Sequence, residues 1–236
     1  MFMEPTFRWY GPEDPVPLKF IPQTGATGIV TSLHYIPYGV VWTQDAILER
    51  RKMIEEAGMT WSVVESLPVH EEIKTGGKSR KRLIELYKLS IRNLGKVGPK
   101  IITYNFMPVL DWVRTDLHHR LPDGSTTLFF DQVKFAIFEL FILCRKGAEK
   151  DYTADVIAKA EEKYRQMTEH ERFVLRRSII DNFPGFKGVT LDDIRDMLAK
   201  YEGFTRERLS ENLHFFLNEV APVAEECGCK LVIHPD

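Results

Sequence analysis

Four apolar runs each lead into a polar residue and then a proline: GIVTSLHYIP (Gly28 to Pro37), TWSVVESLPVH (Thr60 to His70), KIITYNFMPV (Lys100 to Val109) and KLVIHPD (Lys230 to Asp236). No other feature restricts the fold as strongly. Short continuous runs of β-branched and aromatic residues suit strands buried on both faces, and proline ends such a strand because it has no N–H to donate. Each run therefore predicts a buried strand whose tip presents a polar side chain. TFRWY (Thr6 to Tyr10), closed by the turn-forming GPEDP, predicts a further short strand ahead of them.

Helical periods separate the strands. Thr43 to Ala57 predicts a helix with Thr43 as cap, Asp45 in its first turn, and Ile47, Leu48, Ile54 and Ala57 on one face, ending at Gly58. Lys78 to Leu94 repeats the pattern through Leu83, Ile84, Tyr87, Ile91 and Leu94. Strands joined by helices run parallel with right-handed connections, which gathers their polar ends on one face of the sheet. No strand is followed by a GxGxxG turn, so the alternation predicts an α/β fold of the TIM (β/α) barrel type over a dinucleotide-binding sheet.

The rhythm breaks after Val109. Pro122-Asp123-Gly124 predicts a loop or small hairpin, and Gln132 to Arg145, Ala154 to Met167, Glu169 to Asn182 and Leu191 to Lys200 predict helices. We therefore expect one domain: residues 1–131 as the first βα units of the barrel, 132–203 as a helical insertion, and 204–236 as the return, with a helix capped by Thr205 and a strand ending in His-Pro-Asp. This chain carries only part of a barrel.

The 32 basic and 34 acidic residues nearly cancel, which argues against nucleic acid or a membrane surface as partner and leaves a small polar molecule. Three cysteines, Cys144, Cys227 and Cys229, give no disulfide framework and point to the cytoplasm. The N-terminus lacks a signal-peptide pattern. The apolar face from Phe135 to Leu143 suggests a subunit contact, hence a homo-oligomer.

The candidate site residues follow from the tips. His234, directly after an apolar run, is a candidate metal ligand, with Asp236 behind it; a loop hydrogen bond would explain it as well. His34, Glu65, His70 and Asn105 occupy the other tips, and four polar groups on one face favour a binding site over four separate structural roles. Arg8 and Trp9 offer a carboxylate fork and an apolar wall, or plain packing. Asp111, Trp112 and Arg114 offer a second anion clamp, or a surface salt bridge.

Together, FRWYGPEDPV, VVESLPVHEEIK, YNFMPVLDWVRTDL, LPDGST and the final HPD resemble the mannonate dehydratase family, hexuronate-pathway enzymes with a xylose-isomerase-like TIM barrel. The resemblance spans the chain, helical insertion included. It implies removal of water from D-mannonate to give 2-keto-3-deoxy-D-gluconate, in glucuronate breakdown, with Mn2+ or Fe2+. It implies that His234 is a metal ligand, and that Trp9, His34, Glu65, Asn105 and the Asp111 to Arg114 loop face substrate. The family's further ligands (a cysteine, another histidine and an aspartate) and its acid and base have no counterparts before Asp236, so this chain alone is expected to be inactive. Competing readings are a xylose-isomerase-like isomerase or epimerase and a non-catalytic sugar-acid binding module.

Overall fold

Parallel pairing in strict chain order defines the architecture. In the computed structural model, which describes residues 3–110, 112–180 and 188–233, five strands form one sheet. They are β1 (Thr6–Arg8), β2 (Gly28–Thr31), β3 (Thr60–Val64), β4 (Ile101–Tyr104) and, after the two strands of a separate hairpin, β7 (Lys230–Ile233). All four pairings are parallel, as Arg8 opposite Val30, Thr31 opposite Val64 and Ile102 opposite Leu231 illustrate. A doubly wound sheet reverses its strand order at a switch point, and this sheet does not. It is the neighbour-by-neighbour order of a (β/α) barrel, here as an open five-stranded part among the described residues.

The chain forms two compact units, residues 1–108 with 203–236, and residues 109–202. In the first, the sheet buries Ile29, Val64 and Ile102 against three helices, α1 (Gln44–Glu56), α3 (Arg80–Val97) and α8 (Arg206–Glu226). Thr43 caps α1 by accepting from the Ala46 N–H, and Thr205 caps α8 by accepting from Arg208. On α3 all five of the expected apolar positions are buried. Phe216 of α8, fully buried, meets the rings of Tyr87, Tyr104 and Phe106 at 5.1, 5.8 and 5.7 Å, so it clamps the end of β4 to α3. One short helix, α2 (Glu71–Lys74), lies outside the sequence expectation because four residues carry no readable period.

On α1 the expected apolar face needs correction. Ile47 and Ile54 are buried, but Leu48 is 43% exposed, and Arg50 takes the inward position between them. Residues 47, 50 and 54 lie on one helical face at i, i+3 and i+7, and Leu48 falls off it.

The second unit opens with the hairpin β5 (Asp116–Arg120) and β6 (Thr126–Phe129), turned at Gly124 with φ +87°, a value glycine adopts without strain. Helices α4 (Gln132–Ile137), α5 (Ala154–Gln166), α6 (Glu169–Ile180) and α7 (Leu191–Ala199) follow. The helix expected from Gln132 to Arg145 is α-helical only to Ile137; Phe138–Ile142 winds as a π-helix, with Glu139 buried in it. Phe138 and Leu143 are fully buried in this unit's own core, so they do not form the open face expected of a subunit contact. Among the described residues no helix is long and apolar enough to cross a membrane.

Candidate functional site

Parallel strands in sequential order leave the ends of β1, β2, β3 and β4 at one edge of the sheet, and the chain places polar side chains there. Arg8 ends β1, and its Nη1 sits 3.2 Å from Glu65 Oε1, just past β3. The other carboxylate oxygen of Glu65 accepts from Thr103 Oγ1 of β4 at 2.9 Å. Glu65 is thus held from both sides, and β1, β3 and β4 are tied at their tips. The fork offered by Arg8 is used on a carboxylate of the protein itself. Ser32, past β2, brings in the fourth strand by donating to the Ser66 carbonyl at 2.7 Å.

Several buried polar atoms at these tips have no partner among the described residues. They are Trp9 Nε1, Arg8 Nε, His34 Nε2 and Asn105 Oδ1. Folded proteins leave few such atoms unpaired, because each one costs about 1–3 kcal/mol of lost hydration. Four at one end of one sheet mark a place built to receive something polar. Trp9 Nε1 and Arg8 Nε can only donate, while Asn105 Oδ1 can only accept. Hydroxyl groups do both.

His34 stacks on Tyr10 with ring centroids 5.8 Å apart. Burial first, then the nearby Arg8 and Arg50 guanidinia, pull its pKa from 6.5 down to about 4. The imidazole is therefore neutral at pH 7. After Asn105 the chain is pinned at Met107, whose carbonyl accepts from Lys74 Nζ at 2.9 Å; Lys74 is buried and also pairs with Glu71 at 2.7 Å.

Of the residues read from the sequence, Trp9, His34, Glu65 and Asn105 share this edge. His70 does not serve as a free tip group: its Nδ1 accepts from the Glu72 N–H and caps α2. Trp112 and Arg114 belong to the second unit, where the Arg114 guanidinium lies 4.4 Å over the Trp112 ring and donates to the Val113 carbonyl at 2.7 Å. Asp111, His234 and Asp236 lie outside the described residues. The sequence reading missed Arg50, Ser32 and Thr103. For Arg50 the signal was present, an arginine at i+3 from Ile47 on a core-facing stripe; for Ser32 and Thr103 there was none, since hydroxyls inside strands are common.

Among the described residues, no three His, Cys, Asp or Glu side chains gather to hold a metal ion. The β1 to β3 tips also fit a cation poorly. Both oxygens of Glu65 are engaged, and His34 lies in the field of two guanidinia.

A partial (β/α) barrel whose strand ends carry unsatisfied polar atoms belongs to the (β/α)-barrel class, in which ligand sites lie at the C-terminal edge of the sheet. The comparisons narrow this. The model of one family, described as D-mannonate dehydratase (UxuA), matches residues 3–236. Mannonate dehydratases of Chromohalobacter salexigens and of a Marinomonas species are 49% and 47% identical to the chain, each over 235 residues covering 99% of the chain. The crystal structure of mannonate dehydratase from Streptococcus suis serotype2 matches all of the chain with a TM-score of 0.66 at 38% identity, and 54% of that structure is covered. The chain belongs to the mannonate dehydratase family. It spans 60% of the length of the two curated relatives.

Proposed function

We propose that the protein dehydrates D-mannonate to 2-keto-3-deoxy-D-gluconate, as a cytoplasmic, homo-oligomeric enzyme of glucuronate breakdown that uses Mn2+ or Fe2+. One observation about the site carries the ligand class: the unpaired buried atoms at the strand tips include obligate donors (Trp9 Nε1, Arg8 Nε) and an obligate acceptor (Asn105 Oδ1). A bare inorganic anion would satisfy only the donors, whereas a polyhydroxy acid satisfies both kinds. Two guanidinia, Arg8 and Arg50, lie close enough to His34 to act on it, and of these Arg8 is ion-paired with Glu65 while Arg50 has no carboxylate at ion-pair distance among the described residues, which suits an anionic ligand.

In this reading the described residues bind and orient. Trp9, His34 and Asn105 hydrogen-bond the sugar acid, and Glu65 keeps Arg8 in place. Neutral His34 either donates to or accepts from a hydroxyl without adding charge. His234 contributes one metal ligand, a role that rests on family membership and on its place after β7.

Incubating a protein of full family length with D-mannonate and manganese, then analysing the product, tests the proposal. Formation of a 2-keto-3-deoxy acid with loss of one water supports it. A product of unchanged formula indicates an isomerase, and ligand-induced stabilisation without turnover indicates a binder; either overturns it. The polypeptide 1–236 alone is expected to show no turnover.

A further inference from the structure

Arg50 is out of place by every local rule. It sits on the core-facing stripe of α1 between Ile47 and Ile54 and is only 4% exposed, and among the described residues no carboxylate lies within ion-pair distance of it. A buried charge without a counter-ion costs stability, so a core position filled this way points to a role other than packing. Its surroundings give that role a location. The guanidinium donates from Nη1 to the Ser32 carbonyl at 2.8 Å and to Thr31 Oγ1 at 3.3 Å, and its Cζ lies 5.1 Å from the centre of the Trp9 ring. Gly11 approaches it so closely that a Cβ there would come within 3.2 Å of Nη2, at a φ of +108° that already favours glycine. One side chain from a helix therefore touches the ends of both β1 and β2.

We propose that Arg50 is a positioning residue of the strand-tip site, fixing the Trp9 indole and the Thr31-Ser32 backbone so that Trp9 Nε1 and His34 Nε2 face the ligand. The inference rests on the reading that those atoms bind substrate. Three features of arginine are used at once: a planar face for the indole, several N–H groups in a fixed fork, and a charge that survives burial. Lysine would supply the charge alone. The charge also reaches His34. The groups around that imidazole are Arg8 from β1, Tyr10 after β1, and Arg50 from α1, with Glu65 paired to Arg8 and with Tyr35 and Glu49 acting on Arg50. Arg50 adds to the burial and to Arg8 in keeping His34 neutral.

The test uses Arg50→Met and Arg50→Lys with two readouts: the NMR titration of the His34 imidazole without ligand, and KM against kcat for D-mannonate on the manganese-loaded enzyme of full family length. Arg50→Met is expected to raise the His34 titration midpoint and to raise KM roughly tenfold with a smaller change in kcat. Arg50→Lys is expected to keep the midpoint near the wild-type value while KM still rises severalfold, because the fork and the stacking face are lost. A variant that folds, shown by circular dichroism, but leaves both midpoint and KM unchanged overturns the proposal. So does a fall in Tm with neither readout moved, which is what a merely structural arginine would give. If Arg50→Met does not fold, Arg50→Lys decides: an unchanged KM sinks the proposal. Wild-type protein that titrates as expected but shows no saturable D-mannonate dependence fails the site reading instead, with the effect of Arg50 on His34 still measured.

Discussion

Each unit draws an arginine inward, Arg50 buried in the first and Arg145 half-buried in the second, and the two are treated in opposite ways. In the second unit Arg145 is paired with two carboxylates. Its Nε and Nη2 meet the two oxygens of Glu139 at 2.6 and 3.0 Å, Nη2 also reaches Asp151 at 2.6 Å, and the Tyr152 hydroxyl donates to the same Glu139. The hydrogen bonds to Glu139 push the Arg145 pKa further up, and burial with the same carboxylate raises that of Tyr152. Nothing in that network waits for a ligand. Around Arg50 in the first unit no carboxylate among the described residues comes within ion-pair distance, Glu49 acting only from further off, and four neighbouring polar atoms at the strand tips have no partner among those residues. A closed polar network locks one packing arrangement, whereas an open one holds stability in reserve until something binds.

Breaking the closed network should give the largest effect. Glu139→Leu removes the acceptor for Arg145 and Tyr152 and is expected to cost on the order of 3 kcal/mol in urea unfolding, less than a fully buried pair because Asp151 remains. A loss under about 1 kcal/mol would place this network with ordinary surface pairs.

Next comes the pH response of the open network. His34 has a folded pKa of about 4 against an ordinary 6.5, so above pH 6.5 neither folded nor unfolded chain binds the proton and its contribution is fully present. Between pH 6.5 and 4 only the unfolded state takes up the proton, and stability falls by on the order of 2–3 kcal/mol. His34→Gln should remove that component; parallel stability curves for the two proteins would show that His34 is not held neutral.

Asn105→Leu sharpens the contrast further, because stability and binding should move apart. Removing an unpaired buried oxygen should leave folding unchanged or slightly improved, while D-mannonate affinity falls about tenfold, near 1.4 kcal/mol. Stability that drops with affinity untouched would mean that the oxygen serves the fold. The smallest effect is expected at Thr190, whose side chain accepts from the Asp193 N–H in a capping box at the start of α7. Thr190→Ala should cost about 1 kcal/mol without touching ligand affinity.

Much of this was legible beforehand, and the misses share a cause. Strand runs, the caps Thr43 and Thr205 and the five apolar positions of α3 are local patterns, and each appears where its period or its chemistry places it. Leu48 and Arg50 exchanged roles because composition favours leucine inside, while the angular position on the helix favours residue 50. The capping role of His70 depends on a one-turn helix too short to show a period. Glu65 was found as a tip residue, but its two partners come from β1 and β4, far away in sequence.

By itself, the sequence determined where the main strands and helices fall, that the strands are parallel, and which family the motifs resemble, since these are written in short-range periodicity and residue type; the burial it implied holds for β2, β3 and β4 but not for β7, where Val232 and Ile233 are exposed. Only the tertiary structure decided the unreversed strand order, the passage of one arginine through a helix–sheet interface to two strand tips, and which polar atoms were left without partners. Hydrogen bonding is a matter of a few ångströms between atoms dozens of residues apart. No local pattern encodes whether a buried donor has been satisfied.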